Sequence, residues 1–353
     1  MRLHFEPRLQ ESKWLSALLP IIAILLTFLM SMLLFLILGK EPWATAKAIF
    51  ISPLFDSYSR PEILVKASPL LLIAIGLSIG FRANIWNIGA EGQFIMGGIG
   101  ATAVAMAFYP DGGIFLLPLM AISGAVFGLL WAMIPALLRV KFNTSEILVS
   151  LMLVYVADLL LYVMVSGVLQ DPQGLGFPKS RTFQADAILP IIWEGTRVNI
   201  GIIVSLIVAI LAAIFMSRHR LGLDIVVSGL APKAAAYSGV NSKFIVIFAL
   251  GIGGALAGLA GMLEVAGPVG QLSDSFGTNY GFTAIIVAFL GRLNPWAIIL
   301  AALMIAVTYI GGETASTFMR LPSSAVLVIQ GMMLFFLLGV EIFGRYKLKL
   351  ERS

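Results

Sequence analysis

The sequence contains no cysteine and few charged residues. Without cysteine among its 353 residues, the chain can form no disulfide, no cysteine metal cluster and no thiol nucleophile. Charged residues make up 12% of the chain and hydrophobic residues 59%, whereas an ordinary soluble domain carries about a quarter charged residues. This balance excludes a water-soluble globular protein and indicates a membrane protein.

What the chain does contain is a series of apolar runs, each bounded by short polar segments. At 1.5 Å per residue, the first run reaches about 36 Å, which is longer than a signal-peptide core and predicts an uncleaved first span. We therefore predict an all-α polytopic fold with about ten transmembrane helices in a single transmembrane domain, residues 1–353. The runs cover approximately residues 15–38, 65–81, 88–108, 114–138, 147–168, 200–216, 244–266, 282–293, 296–310 and 325–343.

The two runs 282–293 and 296–310 are short. They are either two spans or a re-entrant hairpin.

The distribution of cations predicts the orientation of these spans. When the N-terminus is placed inside and the segments alternate, fifteen of the 23 Lys and Arg residues lie on the inner side. Inner segments of membrane proteins carry an excess of Lys and Arg. We therefore predict that both termini are cytoplasmic. The net charge of +5 reflects this orientation and does not indicate nucleic-acid binding.

The sequence gives no support for two common catalytic motifs. Residues 76–80 match G-x-S-x-G, but they lie inside an apolar run, and the only histidines, His4 and His219, flank the membrane. No G-x-x-x-x-G-K-[ST] phosphate-binding loop occurs, so this chain does not hydrolyse ATP through a P-loop. We predict a protein that is not an enzyme, with no catalytic residue, metal or cofactor.

A stripe of glycines in run 244–266 predicts close helix packing. Gly251, Gly254, Gly258 and Gly261 fall on one helical face. Small residues let helices approach closely in lipid.

The inner loop of residues 217–243 contains a candidate docking helix. Proline favours the first position of a helix, alanine propagates it, and glycine favours its C-terminal end. A short helix with a face of small side chains can enter a cleft on a partner, although an ordinary interfacial helix is the alternative. The residues concerned are Pro232, Lys233, Ala234, Ala235, Ala236, Tyr237 and Gly239.

Two polar interruptions, residues 81–93 and 264–280, break the apolar pattern. Polar groups at membrane depth are costly unless they face protein or a cavity, so broken helices beside a polar route are one interpretation and plain loops are the other. If the first interpretation holds, the polar and aromatic side chains of the two interruptions line the pathway. These residues are Asn84, Trp86, Asn87, Glu91, Gln93, Gln271, Asp274, Asn279 and Tyr280.

At these residues the sequence resembles the permease subunits of ABC importers for simple sugars, branched-chain amino acids and nucleosides. Residues 81–93 resemble the signature of the nucleoside-type branch, F-R-A-G-x-x-N-I-G-A-E-G-Q, with Asn84 in place of the glycine. Residues 277–285 and 290–295 are similarly branch-like. Residues 232–239 resemble the coupling motif N-P-x-A-A-x-Y-A-G, with Ala231 in place of the asparagine cap.

The resemblance implies a type II importer fold and a set of partners. These are a second, different permease forming a heterodimer, an ATPase with two nucleotide-binding domains, an extracytoplasmic substrate-binding protein and the surrounding lipid of a bacterial plasma (inner) membrane. It also implies that residues 217–243 hold the coupling helix, which transmits ATP-driven motion.

Nucleoside import, with purine nucleosides favoured, is the leading hypothesis, and import of simple sugars such as ribose or galactose is the alternative. A different class, an ion-coupled secondary transporter, would use intramembrane carboxylates such as Glu91, Asp158 and Glu264. The docking helix separates the classes, because an autonomous carrier has no need of one.

Overall fold

A computed structural model describes residues 2–7, 13–277 and 279–351. Within these residues the chain forms fourteen α-helices and one two-stranded sheet. The helices are α1 Lys13–Ile37, α2 Pro42–Phe50, α3 Ser52–Phe55, α4 Ser59–Arg82, α5 Ala90–Ala107, α6 Leu116–Phe142, α7 Glu146–Ser166, α8 Gly201–Arg218, α9 Arg220–Leu230, α10 Pro232–Tyr237, α11 Ser242–Glu264, α12 Tyr280–Leu290, α13 Pro295–Met319 and α14 Ser323–Arg345.

The predicted all-α polytopic fold is confirmed for the apolar part of the chain. Seven described helices are long and apolar enough to cross a membrane, and Ser324–Val340 is a shorter apolar helix. The seven are Leu18–Ile37, Ser59–Arg82, Leu116–Phe142, Glu146–Ser166, Gly201–Arg218, Ser242–Val269 and Pro295–Met319.

Residues 1–60 and 307–353 form one compact unit. Helix α1 packs against α14, and α2 packs against α1. The core of this unit combines residues from α1, α2, α13 and α14. Its buried members are Phe35, Ala46, Ile49, Ala315, Leu321 and Ile329.

The same unit contains the two strands, which sequence analysis did not predict. Strand β1 Arg2–Pro7 pairs in antiparallel fashion with β2 Tyr346–Glu351, and Arg2 lies opposite Glu351. The ladder places the N-terminal and C-terminal segments side by side.

Residues 61–306 form the second compact unit, in which α5, α6 and α11 pack closely together. A Cβ added at Gly258 would lie 2.2 Å from the carbonyl oxygen of Gly124, and one added at Gly261 would lie 2.1 Å from that of Phe94. Real Cβ atoms do not approach so closely, so only glycine fits at these crossings. The prediction that the glycine stripe serves helix packing is confirmed.

Both predicted polar interruptions are breaks between helices. Helix α4 ends at Arg82 and α5 begins at Ala90. Helix α11 ends at Glu264 and is followed by a π-helical turn, Val265–Val269, a 3-10 turn, Asp274–Phe276, and then α12.

The run predicted at 282–293 forms α12, whose 11 residues rise only about 16 Å and cannot span a bilayer alone. Its neighbour α13 continues to Met319 and has 25 residues. The two runs are therefore not a hairpin of two short helices, because only the first of them is short.

The segment containing α12 nevertheless traverses the depth of α4. At one end of α4, Glu62 bonds Arg197 of the loop between α7 and α8. Ser180 of the same loop donates its backbone N–H to the carbonyl of Leu272 (2.7 Å). At the other end, Nε of Arg82 donates to the carbonyl of Leu293 (3.0 Å). Glu62 and Arg82 are about 30 Å apart along a helix, close to the thickness of a hydrocarbon core. We therefore interpret residues 272–277 and 279–293 as a crossing made of a loop and a short helix.

Candidate functional site

The two breaks meet at Glu91, in the first turn of α5. Its carboxylate is 3% exposed and accepts two backbone hydrogen bonds at the start of α12. The N–H of Asn279 donates to Oε1 (2.8 Å), and the N–H of Gly281 donates to Oε2 (2.5 Å). One buried carboxylate therefore joins the second half of the broken crossing to α5.

The chemistry of a helix N-terminus explains this contact. The first N–H groups of a helix have no partner within the helix, and they attract negative charge. Asn279, the N-cap residue of α12, makes no side-chain capping bond, so Glu91 supplies the missing acceptors. Gly281 permits the approach, because a Cβ there would lie 2.1 Å from the backbone nitrogen of Glu91.

A second cluster lies at Tyr280, the first residue of α12, and connects three helices. Its buried hydroxyl accepts a hydrogen bond from Nζ of Lys66 in α4 (2.7 Å) and donates to Oε1 of Glu264 at the end of α11 (3.4 Å). Lys66 was not among the predicted pathway residues. Its position one residue into an apolar run was the available signal for a buried role.

Aromatic side chains cover the same region. Phe94 of α5 stacks on Phe276 with ring centroids 4.9 Å apart, and Tyr280 meets Phe94 edge-on at 5.7 Å. Neither phenylalanine was among the predicted pathway residues, because an apolar side chain gives no sign of a polar route.

The amides predicted for the first break bond to each other. Nδ2 of Asn87 donates to Oε1 of Gln93 (2.9 Å), and Nε2 of Gln93 donates to Oδ1 of Asn87 (3.1 Å). Oδ1 of Asn87 also accepts from the N–H of Gly89 (3.1 Å). This buried pair fixes the turn that leads into α5.

Asn84 and Trp86 form a third group, nearer the end of α4. Nε1 of Trp86 donates to Oδ1 of Asn84 (3.1 Å), and the indole stacks on Phe289 of α12 at 5.7 Å. Asn84 has a positive φ of 56°, which asparagine and glycine tolerate better than other residues. The departure from the family's glycine is therefore conformationally conservative.

The remaining predicted pathway residues, Gln271 and Asp274, lie elsewhere. Gln271 is half-buried and Asp274 is exposed. The backbone N–H of Asp274 donates to the carbonyl of Pro178 (3.3 Å), in the loop between α7 and α8. The predicted residues thus divide into local groups along the broken crossing, with Glu91, Asn279 and Tyr280 at its centre.

Two carboxylates flank Gly277 beside this centre. A Cβ added at Gly277 would lie 3.4 Å from Oδ1 of Asp158 and 3.8 Å from Oε1 of Glu91. Within the residues that the structure describes, no group of three His, Cys, Asp or Glu side chains could hold a metal ion.

The predicted helix in the 217–243 loop is confirmed as α10. Pro232 occupies its first position, and Gly239, with φ +82°, follows its end. Ala231 makes no side-chain cap.

The exposure of α10 differs from residue to residue. Tyr237 is 94% exposed, whereas Ala235 is only 3% exposed and faces the protein. Pro232, Lys233, Ala234 and Ala236 are also exposed. A partner would therefore meet these exposed residues and not Ala235.

Comparison with known proteins identifies similar chains across nearly the whole length. A family model described as branched-chain amino acid transport system / permease component matches residues 60–338. The glucose ABC transporter permease protein TsgB13 of Haloferax volcanii is 32% identical, covering 98% of this chain and 93% of its own. The nucleoside ABC transporter permease protein NupB of Lactococcus lactis is 30% identical, covering 93% and 92%.

A third relative, the guanosine ABC transporter permease protein NupP of Bacillus subtilis, is 29% identical, covering 90% of this chain and 92% of its own. No solved structure matches the chain.

The contact between Glu91 and α12 yields a direct prediction. Glu91→Gln keeps one acceptor oxygen but turns an N–H₂ group toward a backbone donor, which leaves a buried donor unsatisfied at a cost of about 1–3 kcal/mol. Amide hydrogen exchange at Asn279 and Gly281 should therefore accelerate in the purified protein. Asp158→Asn is the matched control, because it removes the neighbouring charge but no bond to α12. Equal exchange in the wild type and Glu91→Gln would contradict the capping role.

Proposed function

The chain belongs to the family described as branched-chain amino acid transport system / permease component, and we propose that it imports nucleosides, with purine nucleosides preferred. It is a multi-pass membrane protein and the permease subunit of an ABC transporter. Its relatives are transport permeases and not enzymes. In this proposal the chain forms half of a translocation pathway in a bacterial plasma membrane.

The proposed partners follow from what the chain offers and what it lacks. The sequence contains no P-loop, so a separate ATPase with two nucleotide-binding domains supplies the energy. The exposed side chains of α10 offer a small surface for that ATPase. A second, different permease completes the pathway, and an extracytoplasmic binding protein delivers the cargo.

The substrate proposal rests on the hydrogen bonds that the buried carboxylates make at the centre of the broken crossing. Glu91 is bonded to two backbone N–H groups, and Glu264 is bonded to Tyr280, which also receives Lys66. These charges are directed at protein groups, so the route has no need of a charged cargo to balance them. A neutral cargo rich in hydroxyls and amides fits this site better than a zwitterionic amino acid.

Two neutral cargoes fit that description, nucleosides and simple sugars. Nucleosides are favoured because NupB and NupP are nucleoside and guanosine permeases by name, and because the aromatic surfaces of Trp86 and Tyr280 suit a base. Sugars are the second candidate, since TsgB13 is a glucose permease by name.

An ion-coupled carrier is a poorer fit. Of its three candidate carboxylates, Glu91 and Glu264 are bonded within the protein, and Asp158 is exposed. A carrier of that class would also leave the exposed face of α10 without a role.

Orientation is the first testable part of the proposal. The ladder between β1 and β2 supports termini on one side, and the excess of inner cations supports the cytoplasmic side. An impermeant thiol reagent applied to intact cells should label Glu194→Cys, which is exposed in the α7–α8 loop, and spare Ser238→Cys, which is exposed beside α10. The chain has no cysteine of its own to give a background. Labelling of Ser238→Cys but not of Glu194→Cys would show that the predicted orientation is wrong.

Coupling is tested at the exposed face of α10. Ala236→Asp places a charge where the ATPase would exclude water, so nucleoside uptake and copurification of the ATPase should both fall about tenfold or more. Ala185→Asp is the control, because Ala185 is exposed at the start of a short 3-10 helix in the α7–α8 loop. Ala235 is unsuitable, since a charge at that buried position would test folding. Normal uptake and normal copurification with Ala236→Asp would reject the docking role.

Substrate choice is tested by uptake into vesicles containing the complete complex. Labelled adenosine and guanosine should show saturable, ATP-dependent uptake and should compete with each other, because both present a base and a ribose to one route. Ribose and galactose should neither enter nor compete. Saturable sugar uptake without nucleoside uptake would establish the sugar alternative, and the permease assignment would remain.

A further inference from the structure

The C-terminal end of α4 contacts both the loop that carries α10 and the segment that carries α12. A Cβ added at Gly229, near the end of α9, would lie 2.0 Å from the carbonyl oxygen of Arg82. On its other side, Nε of Arg82 donates to the carbonyl of Leu293, 3.0 Å away. Arg82 therefore stands between the proposed docking helix and the broken crossing.

The contact between Gly229 and Arg82 is rigid because it joins backbone to backbone. Helices α9 and α10 are separated by Ala231 alone, whose N–H donates to Val227 and whose carbonyl accepts from Ala235. The two helices pack against each other. A displacement of α10 is therefore carried by α9 to Gly229 and to the end of α4.

The second contact ties Arg82 to the C-terminal end of α12. The N–H of Leu293 donates to the carbonyl of Ala288 (2.9 Å), so the acceptor of Arg82 belongs to the turn that closes α12. Phe81 also stacks on Phe289 of α12, with centroids 5.1 Å apart. The end of α4 and the end of α12 therefore form one contact region.

The far end of α12 lies at the centre of the candidate site. There Glu91 binds the backbone of Asn279 and Gly281. Because a helix of 11 residues is a stiff rod of about 16 Å, a displacement at Leu293 reaches Asn279 with little loss.

We propose that Arg82 is a positioning residue that transmits motion of the α9–α10 loop to α12 and so to the polar route at Glu91. The inference rests on the proposed function, because it takes α10 as the site that the ATPase moves. Arg82 contacts no cargo in this scheme. Its guanidinium holds the closing turn of α12 to the end of α4, so that both follow α9.

The test compares ATP hydrolysis with nucleoside uptake in proteoliposomes that contain the ATPase, both permeases and the binding protein. Arg82→Gln should leave hydrolysis close to wild type while uptake falls about tenfold, within the range of typical coupling free energies. Arg82→Lys keeps a donor and should recover part of the uptake. Lys141→Gln is the control, because it also removes a cation from the last turn of a helix, α6, at an exposed position.

Hydrogen exchange provides a readout that needs no transport. In the purified permease, Arg82→Gln should accelerate exchange at Arg292 and Leu293, whose N–H groups close α12. Gly229→Ala, which pushes on the carbonyl of Arg82 from α9, should alter the same amides. Equal losses of hydrolysis and uptake, or unchanged exchange around α12, would overturn the transmission role. If the wild-type complex imports no nucleoside, the proposed function fails, whereas the exchange comparison still decides whether Arg82 joins α9 to α12.

Discussion

The backbone N–H groups at the start of α12 impose the constraint on which the 61–306 unit depends. At the depth of a bilayer, a backbone N–H group that is left without a partner costs free energy. Their acceptors come from Glu91, 188 residues earlier in the chain. The first turn of α5 and the first turn of α12 must therefore lie next to each other. The helices between them in the chain have to pack in a way that allows this contact.

The glycine seam makes this coincidence possible. Helix α5 lies against α11 so closely that a Cβ at Gly97 would lie 2.1 Å from the carbonyl of Gly258. Such crossings gain close van der Waals contact, which is a main source of helix association in lipid. With α5 held in this way, its first turn reaches the start of α12, where Gly281 again leaves no room for a side chain. Glycines thus allow both the close packing of the helices and the hydrogen bonds between Glu91 and the N–H groups of α12.

The parts of this arrangement that could be predicted from the sequence are those with local signals. Amides and glycines in apolar runs predicted both breaks, and the proline and glycine around α10 predicted its ends, because these residues act through their own backbone preferences. The pairing of Glu91 with α12 has no local signal, since its partners are backbone atoms far away in the chain. Lys66 was not predicted as a site residue, because a cation near the end of a span usually reports orientation, whereas its contact with Tyr280 is tertiary. Ala235 faces the protein because of tertiary packing. The sequence of a six-residue helix does not show which of its sides is packed.

The same contacts bear on how the transport cycle is driven. In the proposed function, the polar route can open at Asn279 only if the bonds to Glu91 are exchanged or move with α12. Breaking them leaves the buried N–H of Gly281 and the buried carboxylate of Glu91 unsatisfied, at a cost of about 1–3 kcal/mol for each group. A neutral cargo cannot repay this cost through charge. The free energy must then enter from outside the route. The exposed surface of α10, joined through α9 and Arg82 to the far end of α12, is the place in this unit where a separate ATPase can supply it.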